Sequence, residues 1–397
     1  MARIAKEEEL AEINKTYKPI KLKRIEKNKY WSPSNLLEQE AHYNIAFGVR
    51  SNGKTFGVQE LGLKEYAEEG SQMAVIRRLD SDFQGKQGQQ MFSALVNNER
   101  GNLVEYYTKG RWNNITFYSR RWWLSKFDEK TRTNVMDVEP FAYAFALNTS
   151  EHDKSTSYPK VKLILFDEFI SRQGYLNDEF IIFTNVLSTI KRLRTDVKIF
   201  MLGNTISKFC PYFKEMGLTH ILQQPVGTIE LYEYGDSGLK VAVEYVKPNE
   251  SKNKKASDVY FAFDNPKLKM ITEGAWEMDI YPHLPLKYKQ NNIVFSYFIN
   301  NQNMMLQCNI IEVDSQIFTY IHKKTSPIRN IKEDIVYTRE FSPRFNIRNQ
   351  GLVRPHDDID RKLKWFFDNQ KVFYQTNEIG EIVSNWLEYE KVGKAAG

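Results

Sequence analysis

Residues 43–55 read YNIAFGVRSNGKT, a short apolar run entering Gly48-Val49-Arg50-Ser51-Asn52-Gly53-Lys54-Thr55, which fits the pattern G-x-x-x-x-G-K-[ST]. The pattern alone can occur by chance in a long chain; it points to an α/β fold where a strand precedes it, a helix follows it and a metal-binding carboxylate stands elsewhere. The glycines let successive N–H groups curl around phosphate oxygens, the lysine reaches the β and γ oxygens, and the hydroxyl holds Mg²⁺. Gly48, Val49, Arg50, Ser51, Asn52, Gly53, Lys54 and Thr55 are therefore the expected nucleotide-binding loop, with ATP and Mg²⁺ as cofactors and Thr55 as a metal ligand.

Its context fits. Residues 43–47 read as a buried strand, a helix can begin at Phe56, and the run VKLILFDE at 161–168 ends a β-rich stretch in two acids, as a Walker B strand does. Asp167 is then expected at the carboxyl end of a parallel strand beside the loop, holding Mg²⁺ through water. Glu168 is the expected base that orients and deprotonates the attacking water. An acid after an apolar strand also serves as a loop or N-cap residue; the pairing of the two motifs is what points to ATP hydrolysis. The lysine-to-acid interval of roughly 110 residues leaves room for an extra strand, as in the P-loop additional-strand catalytic-glutamate ATPase class.

A chain of 397 residues exceeds one hydrophobic core and predicts more than one domain. Its net charge of +6 permits contact with nucleic acid without requiring it. Cys210 and Cys308 are too few and too far apart for a disulfide framework or a zinc cluster, which suggests a reducing cytoplasm. No run approaches the ~18 apolar residues of a membrane span, so the expectation is a soluble intracellular protein. The high aromatic content, 14%, fits either core filling or base stacking.

Composition and punctuation divide the chain into a charged N-terminal leader (1–40), a P-loop ATPase domain (41–222), a small linker domain (223–286) and a C-terminal domain (287–397). The leader reads as a helix followed by a loose segment that folds only against a neighbour, and residues 33–37 lie where P-loop ATPases grip the base. Strands are expected at 72–79, ending in a solvated Arg77-Arg78 pair, and at 141–147, with 102–107 and 115–118 forming a hairpin about Lys109-Gly110. A helix is expected over 178–194 and a strand over 197–202. Asn204, at the end of that strand, is either a sensor of the γ-phosphate or part of a simple turn. Three successive strands at 293–299, 304–311 and 317–322, then helices near 357–368 and 378–389, predict an α/β or α+β C-terminal domain. The basic residues Lys323, Lys324, Arg344 and Arg348, interleaved with aromatics, suit either phosphate contact or a solvated loop.

Several segments together resemble one family, the DNA-encapsidation ATPases of small protein-primed podoviruses, which are related to terminase large-subunit motors. The resemblance rests on Arg50 inside the P-loop, Arg77-Arg78, Lys154 followed by Tyr158-Pro159, the run Phe166-Asp167-Glu168-Phe169-Ile170, Arg192 and Arg194, and Gly203-Asn204 followed by Pro211-Tyr212-Phe213. It implies a homo-oligomeric ring, five subunits in number, at the portal protein of a procapsid in the host cytoplasm, driving double-stranded viral DNA inward, with a structural packaging RNA as a further partner. It also implies that basic residues of a neighbour complete each site: Arg192 as arginine finger, Lys154 as a second donor and Arg194 as the alternative to Arg192. Without it, residues 191–194 read as the basic end of a helix. Related terminases carry a ribonuclease H-type nuclease whose clustered acids hold two metals. Residues 293–298 contain no acid, so the expected C-terminal domain is degenerate and ribonuclease H-like, without nuclease activity. Two alternatives stay open: a ring helicase or other nucleic-acid-dependent ATPase, and a non-enzymatic nucleic-acid-binding structural protein with an inert nucleotide site.

Overall fold

The computed structural model describes residues 2–15, 30–130, 132–149, 156–171, 175–176, 178–205, 210–221, 223–248, 281–301, 304–328, 330, 332–338, 344–349 and 351–392. The chain divides into two compact units, one of Met1–Ser171 with Asp178–Glu277 and the other of Arg172–Asn177 with Met278–Gly397.

The first unit runs β1 (Ala2–Ile4), α1 (Glu7–Lys15), α2 (Ser34–Leu37), β2 (Tyr43–Gly48), α3 (Lys54–Glu69), β3 (Gln72–Arg77), α4 (Gly85–Gln90), α5 (Ser93–Val96), α6 (Leu103–Tyr107), β4 (Asn114–Tyr118), β5 (Arg121–Asp128), β6 (Thr133–Met136), β7 (Ala142–Ala146), β8 (Val161–Asp167), α7 (Glu179–Lys191), β9 (Lys198–Asn204), α8 (Pro211–Glu215), β10 (Ile229–Tyr234) and β11 (Leu239–Val246). Among the described residues these form one sheet ordered β1-β6-β5-β7-β3-β8-β9-β2-β11-β10, with β4 paired to β5. Its centre, from β7 through β11, is parallel throughout.

Period-two alternation on β8 assigns its two faces. Leu163 and Leu165 join the core under α3, whereas Phe166 packs against Phe183 of α7 and Tyr212 of α8. Asp167 has the parity of Leu163 and Leu165, so its carboxylate emerges on the α3 side. Close seating of α3 depends on Gly62, where a Cβ would lie 2.7 Å from Met73 Sδ and 3.1 Å from Leu163 Cδ2.

Three expectations change. Residues 102–107 are helical rather than a hairpin strand: the Asn102 side chain accepts the Glu105 N–H and caps α6, overriding the β-prone Val and Tyr content. The true partner of β4 is β5, joined through Ser119 and Arg120, both at positive φ as a tight hairpin turn requires. The helix expected in the leader is present as α1, preceded by β1, which pairs in parallel with β6, and Arg3 donates to Glu9 of α1 at 2.7 and 2.6 Å. Most of the loose segment expected after it, 16–29, lies outside the described residues. The boundary at 222/223 also shifts. β11 lies parallel against the P-loop strand and β10 pairs with it, so residues 229–246 extend the first unit's sheet. The remainder of the expected linker, 249–280, lies outside the described residues.

The second unit contains β12 (Ile293–Asn301), β13 (Met304–Val313), β14 (Gln316–Lys323), β15 (Val336–Thr338), β16 (Ile347–Arg348), α9 (Asp358–Asp368), β17 (Val372–Tyr374) and α10 (Asn377–Val392). The sheet order is β16-β15-β12-β13-β14-β17, with β12, β13 and β14 antiparallel and β15, β16 and β17 each joining in parallel. The three strands and two helices expected here are present. The short β15, β16 and β17 went unseen because two- and three-residue strands carry no readable period.

Candidate nucleotide site

The P-loop turns on two glycines. Gly53, at φ 83°, begins α3, and Gly48, at φ 152°, runs so close to β11 that a Cβ would lie 2.8 Å from the Val246 carbonyl oxygen. The loop is pinned from outside as well. The Asn52 side-chain amide donates to the Lys247 carbonyl at 2.7 Å, and the Asn52 carbonyl accepts the Trp31 N–H at 2.9 Å. Asn52 is thus a loop fastener through its side chain. Lys54 lies buried at the base of the loop, donating to the Val49 carbonyl at 2.7 Å and to Asn204 Oδ1 at 3.4 Å. Burial lowers its ammonium to about 8, opposed by the charges of Asp167 and Glu244.

Thr55 and Asp167 meet as the sequence predicts. The Thr55 hydroxyl lies 3.1 and 3.2 Å from the two carboxylate oxygens, although β9 stands between the P-loop strand and the Walker B strand in the sheet. Asp167 is therefore two strands from β2 rather than adjacent to it, and it reaches the loop through α3. Burial raises its pKa, with Arg77 and the Thr55 hydrogen bond acting in opposition. A hydroxyl and a buried carboxylate form the hard-oxygen pair that suits Mg²⁺.

The Arg77-Arg78 pair is not solvated. Consecutive residues on β3 point to opposite faces, and each arginine finds an acid. Arg77 bridges Asp167 at 3.1 Å and Glu168 at 2.7 Å. Arg78 forms a two-point pair with Glu179 at 2.8 and 2.9 Å, and Glu179 also accepts the Tyr212 hydroxyl at 2.9 Å. Glu168 itself sits at φ 61°, its side chain largely exposed. Arg77, Arg78, Glu179 and Glu244 are thus members of the site that sequence reading missed. Two arginines ending a strand three places from the P-loop strand are a usable signal, since burial there demands acid partners.

Asn204 faces Lys54 from the end of β9. Arg50 is exposed on the loop, and among the described residues no hydrogen bond or ion pair engages its side chain. The two arginines after α7 separate clearly. Arg194 is tied down by the carbonyls of Pro159, Val161, Tyr158 and Ile190, at 3.1, 2.7, 3.1 and 3.0 Å, which makes it the clamp of the turn entering β8. Arg192 is exposed, at φ 50°, with one bond to the Thr156 carbonyl at 3.2 Å, beside a Leu193 that is 97% exposed. Replacing Arg194 by Ala is expected to cost about 2 kcal/mol of stability by leaving buried carbonyls unpaired, read as a fall in Tm, with ATP turnover per folded molecule unchanged. Lys154 lies outside the described residues.

Arg192 stands near the start of β8, where its Thr156 partner lies, and Glu168 follows the end of that strand. Seven residues of strand place about 20 Å between the two. Within one chain Arg192 cannot reach the carboxylates.

In the second unit Arg348 is not free for phosphate. It pairs with Asp357 at 2.9 Å and with the fully buried Asp360 at 2.5 Å, and Asp360 also accepts the Tyr337 hydroxyl at 2.6 Å. Lys324 donates to Gln307 at 3.1 Å and lies over the Phe298 ring, whereas Lys323 and Arg344 are exposed. Among the described residues no group of three or more His, Cys, Asp or Glu is arranged to hold a metal, and no helix is long and apolar enough to cross a membrane.

The DNA packaging protein of Bacillus phage B103 is 24% identical over 186 residues, which cover 46% of this chain and 50% of that protein. The DNA packaging protein of Bacillus phage phi29 is 23% identical over 192 residues, covering 48% and 50%. This chain spans about half the length of the curated relatives it matches. Among solved structures, the Phi-28 gp11 DNA packaging motor shares the fold with a TM-score of 0.52 at 21% identity, covering 92% of this chain and 98% of that one. The family profile described as podovirus DNA encapsidation protein (Gp16) matches residues 25–330, from ahead of the P-loop to beyond β14. With well over half of its length matched, this chain belongs to the podovirus DNA encapsidation protein (Gp16) family.

Proposed function

We propose that this protein is an ATP-driven motor that translocates double-stranded viral DNA into a procapsid, hydrolysing ATP at sites shared between subunits of a ring. The observation that carries this reading is the division of one catalytic set between the two ends of β8. Lys54, Thr55, Asp167 and Glu168 converge at the carboxyl end, while Arg192 projects from the opposite end. A finger so placed serves only a neighbour's nucleotide. Family membership supplies the task, and β9, inserted between the two motif strands, supports the additional-strand catalytic-glutamate class.

In this site the loop N–H groups and Lys54 cradle the phosphates, and Thr55 and Asp167 hold Mg²⁺. Held by Thr55 and Asp167, Mg²⁺ would supply positive charge that offsets the charge on the transferring phosphoryl group. Glu168 takes the proton of the attacking water, Asn204 senses the γ-phosphate, and Arg192, with Lys154, stabilises charge from the neighbouring subunit. The ring has five subunits and acts in the host cytoplasm at the portal protein, with a structural packaging RNA as a further partner. Its substrate is double-stranded DNA, contacted through Lys323, Lys324 and Arg344.

Purified protein should hydrolyse Mg-ATP, and Lys54→Ala should abolish both turnover and nucleotide binding; tight Mg-ATP binding by that variant would overturn the P-loop assignment. Because phosphates bind the charged lysine, affinity should hold below about pH 8 and weaken roughly tenfold per pH unit above it. A titration with a fluorescent nucleotide between about pH 7 and 9.5 measures this, and an affinity constant across that range would contradict it.

The second unit is a ribonuclease H-like fold without its chemistry. The order β14-β13-β12-β15-β16, three antiparallel strands followed by two parallel ones, supports the fold. Asp360, the buried acid, is spent on Arg348 and Tyr337. Incubation with DNA and Mg²⁺ or Mn²⁺ should yield no cleavage products; metal-dependent cutting by the purified protein would refute this.

A further inference from the structure

Glu168 occupies left-handed backbone, φ 61°. A non-glycine residue there is strained by about 1 kcal/mol or more and stays only where its surroundings over-determine it. The Asp167 carboxylate accepts the Glu168 N–H at 3.1 Å, and the carbonyls of the turn are held by one side chain. Arg78 donates through Nη1 to the Glu168 carbonyl at 3.3 Å and through Nη2 to the Phe169 carbonyl at 2.9 Å. The guanidinium is itself fixed by the two-point pair with Glu179, whose side chain is 1% exposed. Tyr212 Oη then donates to Glu179 Oε1 at 2.9 Å, inside a ring cluster with Phe166, Phe169 and Phe183. The Phe169 N–H closes the turn onto the Leu202 carbonyl of β9 at 3.1 Å.

We infer that Arg78 and Glu179 are positioning residues for Glu168, holding the strained turn that aims its carboxylate. The inference rests on the proposed hydrolytic role of Glu168. The two arginines divide the work by strand parity: Arg77 engages the Glu168 carboxylate on one face of the sheet, and Arg78 holds the Glu168 backbone from the other. A planar guanidinium suits this place because its fork can satisfy two carboxylate oxygens and two carbonyls at once, which an ammonium cannot. Glu179 makes the arrangement rigid, since the first turn of α7 favours a carboxylate and burial keeps the pair from exchanging with water.

The test uses the full chain with Arg78→Lys, which keeps the charge and loses the fork, and Tyr212→Phe, which removes one hydrogen bond from Glu179. In Arg78→Lys, kcat should fall by about tenfold or more, because small misplacements of a reacting group are costly, while the Kd for Mg-ATP moves less than about twofold. Tyr212→Phe should give a smaller fall of the same kind. The deciding measurement places Arg78→Lys in a Glu168→Gln background. A residue acting through Glu168 has nothing left to position there, so the residual turnover should be unchanged. An equal loss in both backgrounds, or an unchanged kcat in Arg78→Lys, would overturn the inference. If Glu168→Gln alone leaves turnover intact, the catalytic reading fails instead, so the two failures are distinguishable.

Discussion

Replacing Glu168 by glutamine is expected to lower ATP turnover by ~10²–10⁴-fold while Mg-ATP binding stays within a factor of about two. The amide keeps the shape of the side chain and removes its basicity, so only the step that needs a proton acceptor is lost. Asp167 behaves differently, being buried and bonded to Thr55, so its loss should weaken Mg²⁺-dependent binding itself. Turnover measured beside nucleotide binding separates the two carboxylates. Unchanged turnover in Glu168→Gln would remove this residue from the chemistry.

Replacing Arg192 by alanine carries the other large effect, a ~10³–10⁵-fold loss of turnover, the range set by arginine fingers that stabilise a transferring phosphoryl. Stability should barely change, because Arg192 is exposed and makes a single bond to Thr156. The contrast with Arg194 is sharp: four carbonyl bonds make that residue a structural clamp. Mixing Arg192→Ala subunits with Glu168→Gln subunits creates interfaces where an intact Arg192 faces an intact Glu168. Turnover should recover in proportion to those interfaces, and no recovery at any ratio would contradict a shared site.

The parts of this fold legible in the sequence were those with strong local pattern. Residues 43–55 specified strand, loop and helix because glycine, lysine and threonine each have one use at that spacing, and 161–168 announced a buried strand ending in acid. An extra strand between the motif strands was expected, but the one that fills the place is β9, which follows the Walker B strand in sequence and does not lie in the interval between Lys54 and Asp167, since sheet order depends on crossovers that leave no local trace. Residues 102–107 misled because valine and tyrosine favour strands, and the Asn102 cap outweighed them. Arg77 and Arg78 looked solvated because their partners, Asp167, Glu168 and Glu179, lie some ninety or a hundred positions away. Arg348 misled although its partners are near in sequence, since Asp357 and Asp360 neutralise it only once α9 is folded.

The most direct test of a DNA-packaging motor is an in vitro packaging assay with purified procapsids, this protein, double-stranded viral DNA and ATP, scoring DNA protected from added nuclease. Protection should require ATP, should vanish with Glu168→Gln and with Arg192→Ala, and should leave the duplex unseparated. Strand separation in place of protection, or protection that persists without ATP, would contradict the account.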